Sequence, residues 1–190
     1  KKLKVDEIIV SSNITQIENY CKKNKIFFIK RPEKLASAKS AEILAWKHAL
    51  LEYEKKKNKK IDIFLSLPIV TPVKKISNIR KSIQIIKKKK YDLVVSVTKS
   101  EASPNFNLFK KMGDRLGLFN NIKKTYRRQN NHYYFVVPNF YVAKRKYVLS
   151  TNHVFNGKIF PMEIPRKYTF DINDNYDFQI LKFLIENKKL

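Results

Sequence analysis

The sequence predicts an α/β domain, a mainly parallel sheet with helices on both faces and a β-rich excursion in its second half. Over the first hundred residues, short β-branched runs alternate with segments whose apolar residues recur every three to four positions. Two of those runs, Ile61 to Leu67 and Leu93 to Thr98, read as strands buried in the middle of such a sheet. All three glycines, Gly113, Gly117 and Gly157, fall between residues 105 and 165, where the alternation stops. At 190 residues, one domain over 1–190 is expected.

Taken in order, Glu7 to Ser11 is a short strand, followed by Ser12 and Asn13 as cap candidates and by Ile14, Ile17 and Cys21 at helical spacing. Ile26 to Ile29 is a second strand, closed by Arg31-Pro32, because proline disfavours regular structure in the residue before it. After a loop to about Ser40, the residues Ile43, Trp46, Leu50 and Tyr53 mark a helix from Ala41 to about Lys57. The lysine-rich stretch from Lys55 to Lys60 suits the negative pole of that helix. The strand Ile61 to Leu67 stops at Pro68-Ile-Val-Thr-Pro72, whose two prolines impose an irregular loop at the end of the strand. Loops in that place bind ligands in open α/β sheets. Ile76, Ile79, Ile83 and Ile86 mark the next helix, and Leu93 to Thr98 the next strand. Beyond Pro104, the Asn-rich stretch from Asn120 to Asn131 and the β-type run Tyr133 to Val142 read as an excursion of hairpins and loops at about 105–165. Such an apolar run outside the sheet needs cover, so a dimer contact is expected there. Asp177 to Asn187 is the last helix.

The composition excludes several classes. Hydrophobic residues make up 43%, enough for a core. The lone Cys21 excludes an internal disulfide framework and a multi-cysteine zinc site, and it fits a reducing compartment, so the cytoplasm is expected. No apolar run approaches the roughly 18 residues of a membrane span. Three scattered glycines cannot build a GxGxxG turn or a P-loop. His48 lies within a helix beside Ala49 and Leu50, and His132 and His153 have no partners at ligand spacing, which argues against zinc. The formal charge of +25 and 24 aromatic residues leave open a basic module for nucleic acid, although no RNP-type motif is present. That excess consists mostly of lysine in a chain rich in Lys, Asn and Ile, a pattern that A/T-biased codons generate on any fold.

Two clusters carry chemistry. In Phe170-Asp-Ile-Asn-Asp-Asn-Tyr-Asp177, Asp171 and Asn173 alternate around Ile172 as on a strand, so two hard oxygen donors share a face and suit Mg²⁺. The same segment also reads as a helix start, with Asp174 or Asn175 as the cap. Tyr126-Arg-Arg-Gln129 sets two guanidiniums in a polar loop, where their forks match phosphate and carboxylate geometry.

Seven segments in order are together similar to the acylneuraminate cytidylyltransferases and their legionaminate and pseudaminate relatives. They are Val5 to Ser12, Arg31 to Ala36, Leu67 to Thr71-Pro72, Leu93 to Thr98, Arg127 to Gln129, Phe140 to Arg145, and Asp171 to Asn173 ahead of Tyr176 to Phe178. The resemblance implies a Rossmann-like nucleotide-diphospho-sugar transferase fold. It also implies transfer of CMP from CTP to an acidic nine-carbon 2-keto sugar, with Mg²⁺ as cofactor and pyrophosphate as product, and a homodimer in which the excursion reaches the partner's site. Carried over by position, Arg31 and Ser40 contact the nucleotide, and Pro68 to Thr71 lies under it. Arg127, Arg128 and Gln129 serve substrate and phosphate charge, with Arg128 catalytic. Asp171 is catalytic and the first metal ligand, and Asn173 stands where a second aspartate is usual. Ala38 and Val137-Pro138 also depart from the pattern. The family's opening strand and basic phosphate-cradling loop have no counterpart here, so an incomplete domain without turnover is expected.

Overall fold

A computed structural model describes residues 3–37, 39–120, 133–187 and 189. The chain runs β1 (Ile9–Ser12), α1 (Thr15–Lys23), β2 (Phe27–Lys30), α2 (Glu33–Ala36), α3 (Glu42–Lys57), β3 (Ile63–Ser66), α4 (Ile76–Lys87) and β4 (Leu93–Lys99). It continues through β5 (Phe109–Met112), β6 (Arg115–Leu118), β7 (Tyr134–Lys144), α5 (Arg145–Ser150), β8 (Ile159–Glu163), a 3-10 turn (Arg166–Tyr168) and α6 (Asn175–Glu186).

The strand β4 explains the layering. Its side chains alternate between two faces, and both faces are buried. Leu93, Val95 and Val97 meet Ile43, Trp46 and Leu50 of α3 together with Tyr147 and Val148 of α5. Val94 faces the other way, with Val137, Phe140 and Val142 of β7, onto Ile79 and Ile86 of α4. A strand apolar on both faces therefore fits only between two helical layers, as the sequence predicts. Asn58 ends α3 in the left-handed region at φ 48°, and the exposed lysines Lys55 to Lys57 fill its last turn.

The central sheet has the order β3-β7-β4-β8, beside a parallel pair β1-β2 and an antiparallel hairpin β5-β6. Within it, β3, β4 and β8 run one way and β7 runs against β3 and β4. The α/β class holds, with a mixed sheet.

Three expectations change. The run Tyr133 to Val142 is not part of an outlying excursion; it becomes β7, between β3 and β4. A distant segment inserted antiparallel covers both neighbouring edges, an arrangement that sequence order does not reveal. Residues 145–165 likewise return to the body as α5 and β8, which leaves the hairpin β5-β6 as the part that stands apart. Gly113 takes φ 63° in its two-residue turn, where glycine at the first central position suits the strand twist. Finally, Ser12 and Asn13 do not cap α1. The N-cap is Ile14, whose N–H donates to Ser12 Oγ at 3.1 Å, and Asn13 donates instead to Glu33.

Between Val95 and Val97 the β4–β7 register shifts, because β7 carries extra residues at Val137-Pro138-Asn139. Ser96, fully buried, fills the bulge: its hydroxyl donates to Val137 O at 2.7 Å and accepts from Phe140 N at 3.0 Å. Bulges of this kind re-aim a strand beside a functional site.

Candidate functional site

Arg31 lies at the end of β2, Ser40 in the loop after α2, and Asp171 and Asn173 beyond β8 and the 3-10 turn; loops after parallel strands bind ligands in open α/β folds. Arg31 follows β2 directly. Its Nη2 donates to Ser11 O at 2.7 Å and its Nε to Ser11 Oγ at 3.2 Å, so one guanidinium edge is pinned to the end of β1. Nη1 takes part in neither bond. Beside it opens a cleft of about 920 Å³ between Pro32, Leu35, Ser40, Leu44 and His48, rimmed by Lys34 and Lys39. Ser40 Oγ and His48 Nδ1 are both enclosed and unpartnered among the described residues. His48, within α3, thus carries unmet hydrogen-bonding capacity on its Nδ1 edge next to this cleft.

Asp171 sits in the irregular stretch after the 3-10 turn, half-buried, with Oδ1 enclosed and unpartnered among the described residues. Desolvation, and then the charge of Asp177, hold its carboxyl above the usual range, while the Ile172 amide pulls the other way. The segment forms no strand, so the strand alternation expected of Asp171 and Asn173 is absent. Asn173 is exposed, and its backbone N–H donates to Asp177 Oδ2 at 2.9 Å. Asp174 caps α6 by accepting from Asp177 N at 2.9 Å. Asp174 is thus the cap that one reading of this segment offered, while Asp171 Oδ1 has no partner among the described residues. Among the described residues, no three His, Cys, Asp or Glu side chains gather closely enough to hold a metal by themselves.

Electrostatics link these places. Glu42, at the start of α3, accepts from Trp46 Nε1 at 3.2 Å; desolvation raises its carboxyl, and the charge of Arg31 opposes that rise. Tyr141 of β7 is buried against Trp46 with ring centroids 5.1 Å apart. Its phenol is pushed up to about 12 by burial, then by Glu42 and by Asp171. Arg31 thus acts on Glu42, and Glu42 and Asp171 both act on Tyr141. The loop Pro68 to Thr71 joins the same place, because Ile172 N donates to Val70 O at 2.8 Å. Glu42 and Asp177 escaped sequence reasoning, since nothing in their spacing sets them apart from ordinary helix-start acids. Arg127, Arg128 and Gln129 lie outside the described residues.

No family model matches the chain. It is 26% identical over 187 residues to the post-translational flagellin modification protein B of Campylobacter coli, covering 96% of this chain and 78% of that protein. It is 25% identical to the CMP-N,N'-diacetyllegionaminic acid synthase of Campylobacter jejuni, covering 96% and 78%. The N-acylneuraminate cytidylyltransferase of Escherichia coli O18:K1:H7 is 25% identical, with 97% of this chain and 43% of that protein covered. Among solved structures, CMP:2-keto-3-deoxy-manno-octonic acid synthetase complexed with CTP superposes with a TM-score of 0.65 at 11% identity, covering 97% and 82%. The 4-diphosphocytidyl-2C-methyl-D-erythritol synthase of Anaerococcus prevotii gives 0.58 at 14%, covering 96% and 82%. The fold is that of these nucleotidyltransferases, and over nearly its whole length the chain is similar to acylneuraminate and legionaminate cytidylyltransferases.

Proposed function

We propose that the chain provides a CTP-binding site for the transfer of CMP to an acidic nine-carbon 2-keto sugar. In that reaction a sugar hydroxyl oxygen bonds to the α-phosphorus, the bond from that phosphorus to the bridging oxygen breaks, pyrophosphate departs and the hydroxyl proton is lost. Positioning and charge neutralisation dominate such a step. The observation that carries the reading is the Ile172 to Val70 hydrogen bond, which ties the Asp171 segment to the Pro68 to Thr71 loop.

The donor set fits Mg²⁺: a cation shared with nucleotide phosphates needs only one or two protein oxygens, and Asp171 Oδ1 has no other partner among the described residues. Asp171 would hold it, and the bound cation would supply neutralisation of charge developing on the phosphates. Arg31, clamped by Ser11, offers its remaining edge to the nucleotide, and Ser40 offers a hydroxyl from the cleft beside it. Arg127, Arg128 and Gln129 serve the acceptor and phosphate charge in this reading. A homodimer goes with it, supported by Phe109, Met112, Leu116 and Phe119, exposed on and beside the hairpin, and by Phe135 on β7. A cytoplasmic place accords with the lone, buried Cys21.

The acceptor class is tested by calorimetric titration with CMP and with CMP linked to N-acetylneuraminate, legionaminate, pseudaminate or the eight-carbon acid. A nine-carbon conjugate should bind more tightly than CMP and than the eight-carbon one. Equal affinity for all of them overturns the nine-carbon assignment.

A further inference from the structure

Behind the loop under the proposed nucleotide lies a polar knot joining three segments distant in sequence. Thr71, fully buried, donates Oγ1 to Pro138 O at 2.5 Å. Asn139, buried in the bulge of β7, donates Nδ2 to Val73 O at 2.9 Å and to Tyr168 O at 2.8 Å. Lys74 lies between them, and its Nζ donates to Pro68 O at 2.9 Å, Thr71 O at 2.7 Å and Asn139 O at 2.6 Å. An ammonium has three protons, and here each has a carbonyl. None of these acceptors is a carboxylate, so the arrangement serves shape rather than charge pairing. Its neighbour Lys75 is exposed.

We propose that Lys74 is a positioning residue for the site: by holding Pro68, Thr71 and Asn139 together it sets Val70 O where the Ile172 N–H meets it, and so fixes the Asp171 segment. The inference rests on the nucleotide reading given above. Burial pulls the ammonium down to about 8, whereas three close carbonyl acceptors favour its charged form. Lysine suits this place because its donors radiate from one atom; an arginine fork presents a plane.

The test compares the wild-type chain with Lys74→Met, Lys74→Gln and the exposed control Lys75→Met. The readouts are NMR-detected exchange of the Ile172 amide, calorimetric binding of CTP with Mg²⁺, and thermal unfolding. Lys74→Met should speed exchange at Ile172 and weaken CTP binding, each roughly tenfold, the scale of one lost charge-assisted hydrogen bond. Lys75→Met should change neither. If Lys74→Met does not fold, Lys74→Gln, which keeps two donors, should show the same two changes at smaller size. Wild-type exchange and affinity in the folded Lys74 variants overturn the proposal. Faster exchange at Ile172 in a chain whose wild type binds no CTP keeps the link from Lys74 to the Asp171 segment and overturns the nucleotide reading.

Discussion

The carboxylate of Glu54 makes the stability of this fold depend on acid, as does that of Asp92. Glu54 accepts from Arg145 Nε and Nη2 at 2.7 and 2.8 Å and from Ile61 N at 2.9 Å, joining α3 to the start of β3 and of α5. The Arg145 hydrogen bonds, foremost, hold its carboxyl below the usual range. A depressed carboxylate stabilises the fold fully above its unfolded value and stops doing so as pH falls through its folded one. Thermal unfolding against pH should therefore separate the wild type from Glu54→Gln above about pH 5, and the two curves should converge in more acid solution. At the proposed site, Arg31→Ala should weaken CTP binding about tenfold, and Arg31→Lys should recover little, because lysine cannot hold Ser11 and a phosphate with one fork. Titration calorimetry reads both. Arg31 and Asp171 were legible because they stand in recognisable local strings. Lys74 was not: among 34 lysines nothing in the sequence distinguishes one whose acceptors are backbone carbonyls, one of them on a distant strand.

Among elements, legibility followed locality. The strand β4 and the helices α3 and α4 announce themselves by periodicity alone, and each forms within a residue or two of its expected bounds. The strand β7 was visible as a strand, but its place was not, since pairing with β3 and β4 spans long stretches of chain. The strand β8 was hidden by Pro161, which argues against a strand interior; at the sheet edge, with β4 as its partner, the missing N–H is tolerated. The bulge in β7 depends on Ser96, so Ser96→Ala should destabilise by about 1–3 kcal/mol by orphaning the Phe140 N–H. Phe140→Ala, a truncation of a fully buried ring, should cost about 3–5 kcal/mol. Urea denaturation separates these two ranges.

At the scale of the whole molecule, the charge and the apolar hairpin point to different partners. A field of +25 attracts polyanions, yet non-specific attraction of that kind collapses as salt rises, while a built nucleotide site does not. The exposed Met112, Leu116 and Phe119 lie on and beside the hairpin β5-β6, which projects from the body. Light scattering at micromolar concentration should report a dimer, and Leu116→Glu with Phe119→Glu should yield a monomer with an unchanged melting temperature. In the proposed reading this chain holds a cytidine nucleotide through Arg31 and an Asp171-bound cation. The most direct test of that reading is calorimetry with CTP, UTP and ATP at near-physiological salt, with and without Mg²⁺, on the wild type and on Asp171→Asn. Mg²⁺-dependent binding should be at least tenfold tighter for CTP than for UTP or ATP, with the Mg²⁺ dependence lost in Asp171→Asn. Equal affinity for all three nucleotides, falling steeply with salt and unmoved by Asp171→Asn, would contradict it.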